Sequence, residues 1–144
     1  MTYRDQVFDY VKRKYKTEPE YLWRRHPEYA IFRHADNEKW FGLVMDVARN
    51  KLGMAGDEIV DVLNVKCSDP LLADLLIHQP GYFRGYHIAR GNWVSILLDG
   101  SVPFEDICRW LDESYMTTAS REKKQKLRPP KEWIIPANPK YYDV

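Results

Sequence analysis

Between Tyr86 and Gly100 the chain reads Tyr-His-Ile-Ala-Arg-Gly-Asn-Trp-Val-Ser-Ile-Leu-Leu-Asp-Gly, two alternating runs around one turn and closed by another. This stretch restricts the fold more than any other. With Arg90-Gly91-Asn92 as the loop, Tyr86 falls opposite Ile96 and Ile88 opposite Val94 in an antiparallel hairpin. Tyr86, Ile88, Val94, Ile96 and Leu98 then share the core face, while His87, Ala89, Trp93, Ser95 and Leu97 share the other. A loop of Gly91-Asn92 alone would set Ser95 beside Ile88 and His87 beside Ile96, losing the separation of apolar from polar that fixes register. The hairpin is therefore read as the centre of the sheet and, through His87 and Trp93, as its working surface.

The remaining sequence supplies further strands and the helices to cover them. Thr2 with Asp5 three residues on is a capping box, and Tyr3, Val7, Tyr10 and Val11 follow at helical spacing to about Tyr15 or Lys16. Thr17-Glu18-Pro19-Glu20 breaks that helix. A strand from Tyr29 to His34 turns at Ala35-Asp36-Asn37-Glu38 and returns from Lys39 to Val47. On the return strand, alternation sends Phe41, Leu43, Met45 and Val47 to one face and Trp40, Gly42, Val44 and Asp46 to the other. Ile59 to Lys66 reads as another strand, with Leu63 and Val65 inward and Val62, Asn64 and Lys66 outward. Ser68-Asp69-Pro70 opens a short helix with Leu71, Leu72, Leu75 and Leu76, which stops at Pro80-Gly81. After Pro103, the positions Phe104, Ile107, Cys108, Leu111 and Tyr115 mark one face of a helix reaching about Ser120. The expected class is α+β, an antiparallel sheet with helices on one face and Trp40, Gly42, Asn64, Lys66, His87, Trp93 and Ser95 on an open one.

At 144 residues the chain reads as one domain over 1–120, followed by a basic and then proline-rich tail over 121–144. The prolines forbid a continuous helix there, and Trp133, Ile134, Ile135, Tyr141 and Tyr142 suit a tail docked on the domain. No segment has the apolar length of a membrane span, and the N-terminus lacks the apolar run of a signal peptide. Cys67 and Cys108 form no Cys-x-x-Cys pair and suit buried, reduced thiols, so a cytoplasmic location is expected. The net charge of +1 leaves no global basic excess for gripping nucleic acid. Any basic face must come from local clusters: Arg24 with Arg25, Arg84 with Arg90, or the run from Arg121 to Lys131.

The element order and several dispersed residues resemble the MmcQ/YjbR family of small bacterial proteins. The resemblance is densest from Asn64 to Tyr115: Lys66, Pro70 before a leucine-rich helix, His87, Trp93-Val94-Ser95, Leu98-Asp99-Gly100, Pro103 and Ser114-Tyr115. It implies a CyaY-like, frataxin-like fold of the double-wing type, and with it DNA binding. The long tail departs from the compact family pattern. Iron chemistry does not carry over, because Asp5 and Asp9 of the first helix sit among Lys and Arg.

Each candidate residue has a binding reading and a structural one. His87 can bond a base or phosphate, or be held by a polar neighbour. Trp93 and Trp40 can stack on bases or lie under a loop or the tail. Lys66 beside Asn64 can meet an anion or run its stem across Trp93. Ser114 and Tyr115 are read as helix packing and a terminal hydrogen bond. His26, His34, His78 and His87 lack metal-ligand spacing, and no glycine-rich phosphate loop follows a strand. A Cys67 and His87 dyad, with Lys66 lowering the thiol pKa, has only sequence proximity behind it. The sequence thus points to a non-catalytic binding protein without cofactor or metal, a monomer or weak homodimer. Nucleic acid is the expected ligand, with Lys66, His87, Trp93, Trp40, Asn64 and Ser95 central and Arg84, Arg90, Arg24 and Arg25 at the rim. The alternative is a protein-interaction or small-ligand module of the same fold.

Overall fold

The structure, a computed structural model, describes residues 2–85 and 92–127. Helix α1 (Tyr3–Tyr15) begins at the capping box, where the Thr2 hydroxyl accepts from the Asp5 N–H at 3.1 Å. It ends as Lys16 turns left-handed and bonds its N–H to the Lys12 carbonyl. Strands β1 (Ala30–Arg33), β2 (Trp40–Ala48), β3 (Ile59–Lys66), β4 (Tyr82–Arg84) and β5 (Trp93–Leu97) form one antiparallel sheet in the order β1-β2-β3-β5-β4. Helix α2 (Pro70–Leu76) starts at Asp69, whose carboxylate caps the Leu72 N–H. Helix α3 (Phe104–Thr118) crosses β2 and β3, and α4 (Arg121–Leu127) follows. Helices α1 and α3 enclose the main core with Phe32, Phe41, Val44, Leu63, Val65, Val94 and Ile96 of the sheet. The described class is thus the one expected, α+β with helices against one sheet face.

Three expectations are corrected. The partner of β5 is not Tyr86 to Ala89: Tyr82 lies opposite Ile96 and Arg84 opposite Val94. The displacement keeps the same alternation, and Tyr82 supplies the buried aromatic that Tyr86 was expected to give. Residues 86–91, with His87 and Arg90, lie outside the described residues.

The faces of β2 are also reversed along most of its length. Val44 sits opposite Leu63 and points to the helices, whereas Leu43 and Met45 pair with Asn64 and Val62. Both faces of β2 are apolar, so alternation carried no contrast. Gly42 explains why its helix face needs a gap, since a Cβ there would lie 3.1 Å from the Phe32 ring and 3.4 Å from a Leu111 methyl. Gly42→Ala is therefore expected to cost about 1 to 2 kcal/mol by overpacking, read as a lower urea midpoint at unchanged slope.

The second sheet face is not open. Tyr29, Ile31, Leu43, Met45, Val47, Val62 and Leu97 form a second buried cluster, against which Trp23, Trp40, Leu52 and Met54 pack. Trp23 comes from the connection before β1, and Leu52 ends the 3-10 turn after β2. A sheet apolar on both faces must be covered on both.

Candidate binding clefts

The sheet brings together several of the residues expected to act, but as interior. Lys66 lies opposite Trp93 and Asn64 opposite Ser95, all on the second face. Asn64 and Ser95 are 0 % exposed and Trp93 only 9 %. The Ser95 hydroxyl donates to the Asn64 amide oxygen, and the Asn64 amide nitrogen donates to the Met45 sulfur at 3.1 Å. These polar groups satisfy one another as buried groups must. Trp93 offers no ring face for a base to stack on. Trp40 is half-buried, edge-on to Trp23 at 5.7 Å. Lys66 is half-buried, and its backbone N–H bonds the Ser114 hydroxyl at 2.9 Å.

The rim residues scatter. Arg84 is exposed and pairs with Asp74 at 3.3 Å. Arg24 and Arg25 are exposed on the connection beside Trp23, away from β5 in the sheet order. Cys67 is buried, and burial first, then the charges of Glu113 and Asp69, pushes its thiol up to about 11. Lys66 does not make it a thiolate at neutral pH, which removes the basis for the dyad.

Sequence reasoning missed a different assembly, at the end of the domain where α1 stops, β1 turns into β2, and α3 gives way to α4. His34 directly follows β1 and is buried. Its Nε2 lies 3.1 Å from the Tyr115 carbonyl and 2.9 Å from the Thr118 hydroxyl, while Nδ1 lies 2.9 Å from the Lys123 ammonium. An ammonium only donates, so Nδ1 accepts and Nε2–H donates to Tyr115: the ring is neutral. Burial and then the Lys123 charge hold its pKa down to about 4, against an opposing pull from Asp36.

Asp36 ties α4 down. It accepts from the Ser120 hydroxyl at 2.5 Å and pairs with Lys123 at 3.4 Å, and these contacts, the hydroxyl first, hold its carboxyl at about 2. Lys123 also lies 5.3 Å above the Tyr115 ring, which stacks on Tyr15 at 3.8 Å. The Tyr15 hydroxyl donates to Asp112, as does Tyr10 at 2.8 Å, with Lys14 3.0 Å from the same carboxylate. Burial and then Asp112 raise the Tyr15 pKa, so it stays protonated.

Two concavities flank this cluster. One, of about 420 Å³, is bordered by Tyr15, Lys16, Glu18, Glu20, Arg33, His34, Glu38, Tyr115 and Lys123. The other, of about 530 Å³, is lined by Asn37, Lys39, Ala119, Ser120, Arg121, Lys124 and Gln125. The second holds three cations and no carboxylate. Lys39, Arg121 and Lys124 make no ion pair among the described residues. Among the described residues no group of three or more His, Cys, Asp or Glu is placed to hold a metal ion, and no helix is long and apolar enough to cross a membrane.

The chain is 39 % identical over 118 residues to the uncharacterized protein YyaQ of Bacillus subtilis (strain 168), covering 82 % of this chain and 99 % of that one. A crystal structure of a protein from Pseudomonas syringae superposes with a TM-score of 0.78 at 38 % identity, covering 81 % of this chain and 98 % of that one. A Deinococcus radiodurans protein of the DUF419 domain family shares the fold alone, with a TM-score of 0.64 at 19 % identity over 90 % of this chain and 91 % of that one. The YjbR family pattern matches residues 12–117, spanning the sheet, α2 and nearly all of α3, so this chain belongs to the YjbR (MmcQ/YjbR) family.

Proposed function

We propose that this chain is a non-catalytic binding protein that engages nucleic acid through the sugar-phosphate backbone. Its site is the groove between the β1–β2 turn and α4 rather than the sheet face. The observation that carries this reading is the groove's lining: Lys39, Arg121 and Lys124 with Asn37, Ser120 and Gln125, and no carboxylate. These are the side-chain types that contact phosphate oxygens and set register without reading sequence. The sequence beyond Gln125 is also basic, with Lys126, Arg128 and Lys131. A local cluster of this kind supplies what a net charge of +1 does not. The proposal keeps the finer assignment of the fold as CyaY-like, frataxin-like and double-wing, supported by helices on one sheet face. It also keeps a cytoplasmic monomer or weak homodimer. A protein-interaction role is the alternative if nucleic acid does not bind.

Three phosphate contacts give a log–log salt slope of about −2 to −3, so binding should weaken roughly 15- to 40-fold between about 50 and 200 mM salt. Fluorescence anisotropy with labelled single-stranded and duplex DNA measures it. The triple variant Lys39→Ala, Arg121→Ala, Lys124→Ala should flatten the slope and weaken binding, whereas Lys66→Ala should leave both unchanged. Absence of saturable binding at the lower salt, or a triple variant that binds like the parent, rejects the reading.

A further inference from the structure

The cleft beside His34 carries charge of a different pattern from the groove. Among the described residues only two that are not glycine adopt a left-handed backbone, Lys16 at φ 53° and Glu38 at φ 63°. Both border this cleft. Lys16 spends its N–H on closing α1, and Glu38 spends its own on the His34 carbonyl at 2.9 Å. Neither side chain joins an ion pair among the described residues: the Lys16 ammonium has no carboxylate within contact, and Glu38 acts on Arg33 only through its charge, while Arg33 contacts Glu20. In Lys16 this backbone closes α1 and in Glu38 it closes the β1–β2 turn, and the two turns set both side chains at the border of the cleft.

The other charges are engaged. Arg33 holds Glu20 at 2.8 Å, Glu18 faces Lys12 at 3.6 Å, and Lys123 bonds His34 and Asp36. Lys16, Arg33 and Lys123 balance Glu18, Glu20 and Glu38, which leaves the lining with no net charge. A simple anion would meet three carboxylates and leave Glu38 without a contacting cation. A simple cation would do the same to Lys16. A dipolar ligand satisfies both, and the borders of the Tyr15 and Tyr115 rings give its carbon skeleton an apolar surface. The volume of about 420 Å³ falls within the usual range for small-molecule sites.

We propose that this cleft binds a free α-amino acid, its carboxylate meeting the Lys16 ammonium and its ammonium meeting the Glu38 carboxylate. The site is separate from the groove proposed for nucleic acid, and its test uses no nucleic acid. The full chain, labelled with nitrogen-15, is titrated with each of the common L-amino acids. For any that bind, the N-acetyl derivative and the α-amide are titrated in parallel. At least one amino acid should give saturable shifts centred on Lys16, His34 and Glu38, and each derivative, lacking one charge, should bind at least tenfold more weakly.

Lys16→Gly and Glu38→Gly remove the charges while placing in each position the residue that favours a left-handed backbone. Both variants should remain folded by their spectra and lose at least tenfold in affinity. The proposal is overturned if no amino acid saturates. It is equally overturned if the derivatives bind as well as the parent, or if the folded glycine variants do.

Discussion

Ser114→Ala should lower the stability of this protein by about 3 kcal/mol, a cost of roughly 10 °C in melting temperature, although it removes a single oxygen. The reason is a break in the β2–β3 ladder. Direct pairing runs from Ala48 and Ile59 to Leu43 and Asn64, and the same register continued would set Gly42 against Val65 and then Phe41 against Lys66. There the strands part and the fully buried Ser114 hydroxyl stands between them, donating to the Phe41 carbonyl at 2.7 Å and accepting from the Lys66 N–H at 2.9 Å. Alanine removes the partner of both backbone groups at a fully buried position, and each group left unsatisfied costs about 1 to 3 kcal/mol. Ser120→Ala is the control. It removes the cap of α4 and a bond to Asp36 at an exposed site, and should cost no more than about 1 kcal/mol. Chemical denaturation of both variants decides the matter, and equal midpoints would show that the strands can close without the Ser114 bridge.

The same bridge marks the limit of what the sequence made legible. Signals confined to a few adjacent residues were readable: the Thr2–Asp5 box, the Asp69-Pro70 start of α2, and both ends of β3. The hairpin register was not, because Tyr82-Phe83-Arg84-Gly85-Tyr86-His87-Ile88 offers two partners for β5 in the same phase. Alternation sets Asn64 and Ser95 on the face away from the core helices, where their polarity suits solvent. Their partners, Met45 and each other, appear only when three strands are laid side by side. The His34 cluster was invisible for the same reason on a larger scale. Its members come from α1, the β1–β2 turn, α3 and α4, and no spacing rule joins them. Lys16 and Glu38 give no warning of a left-handed backbone, since neither is glycine or asparagine. The family pattern does not expose the site either: it ends at residue 117, before the Lys123 that completes the cluster.

That completed cluster should make the protein markedly less stable in mild acid. His34 titrates near 6.5 when unfolded and near 4 when folded, so between those values the unfolded chain binds a proton that the native state refuses. Stability is therefore fully present above about pH 6.5 and falls as pH drops toward 4, by about 3 kcal/mol in all for a buried group shifted this far. Desolvation contributes most, and the Lys123 and Lys39 charges add to it while Asp36 opposes them. The Asp36 carboxyl acts in a separate window. Held down to about 2, it contributes stability that is lost only as pH falls from roughly 4 through 2. Urea unfolding at intervals from pH 7.5 to about 4 should show the His34 slope in the parent and a much shallower one in His34→Gln, which keeps a donor and an acceptor without titrating. Lys123→Met should move the fall to higher residual stability at pH 5, because removing the cation lets the imidazole protonate in the folded state. A parent curve as flat as that of His34→Gln between pH 6.5 and 4 would mean that the ring is already charged in the folded protein. The Lys123 ammonium could not then be its hydrogen-bond donor, and α4 would be held by Asp36 and by the contact of Lys123 with the Tyr115 ring.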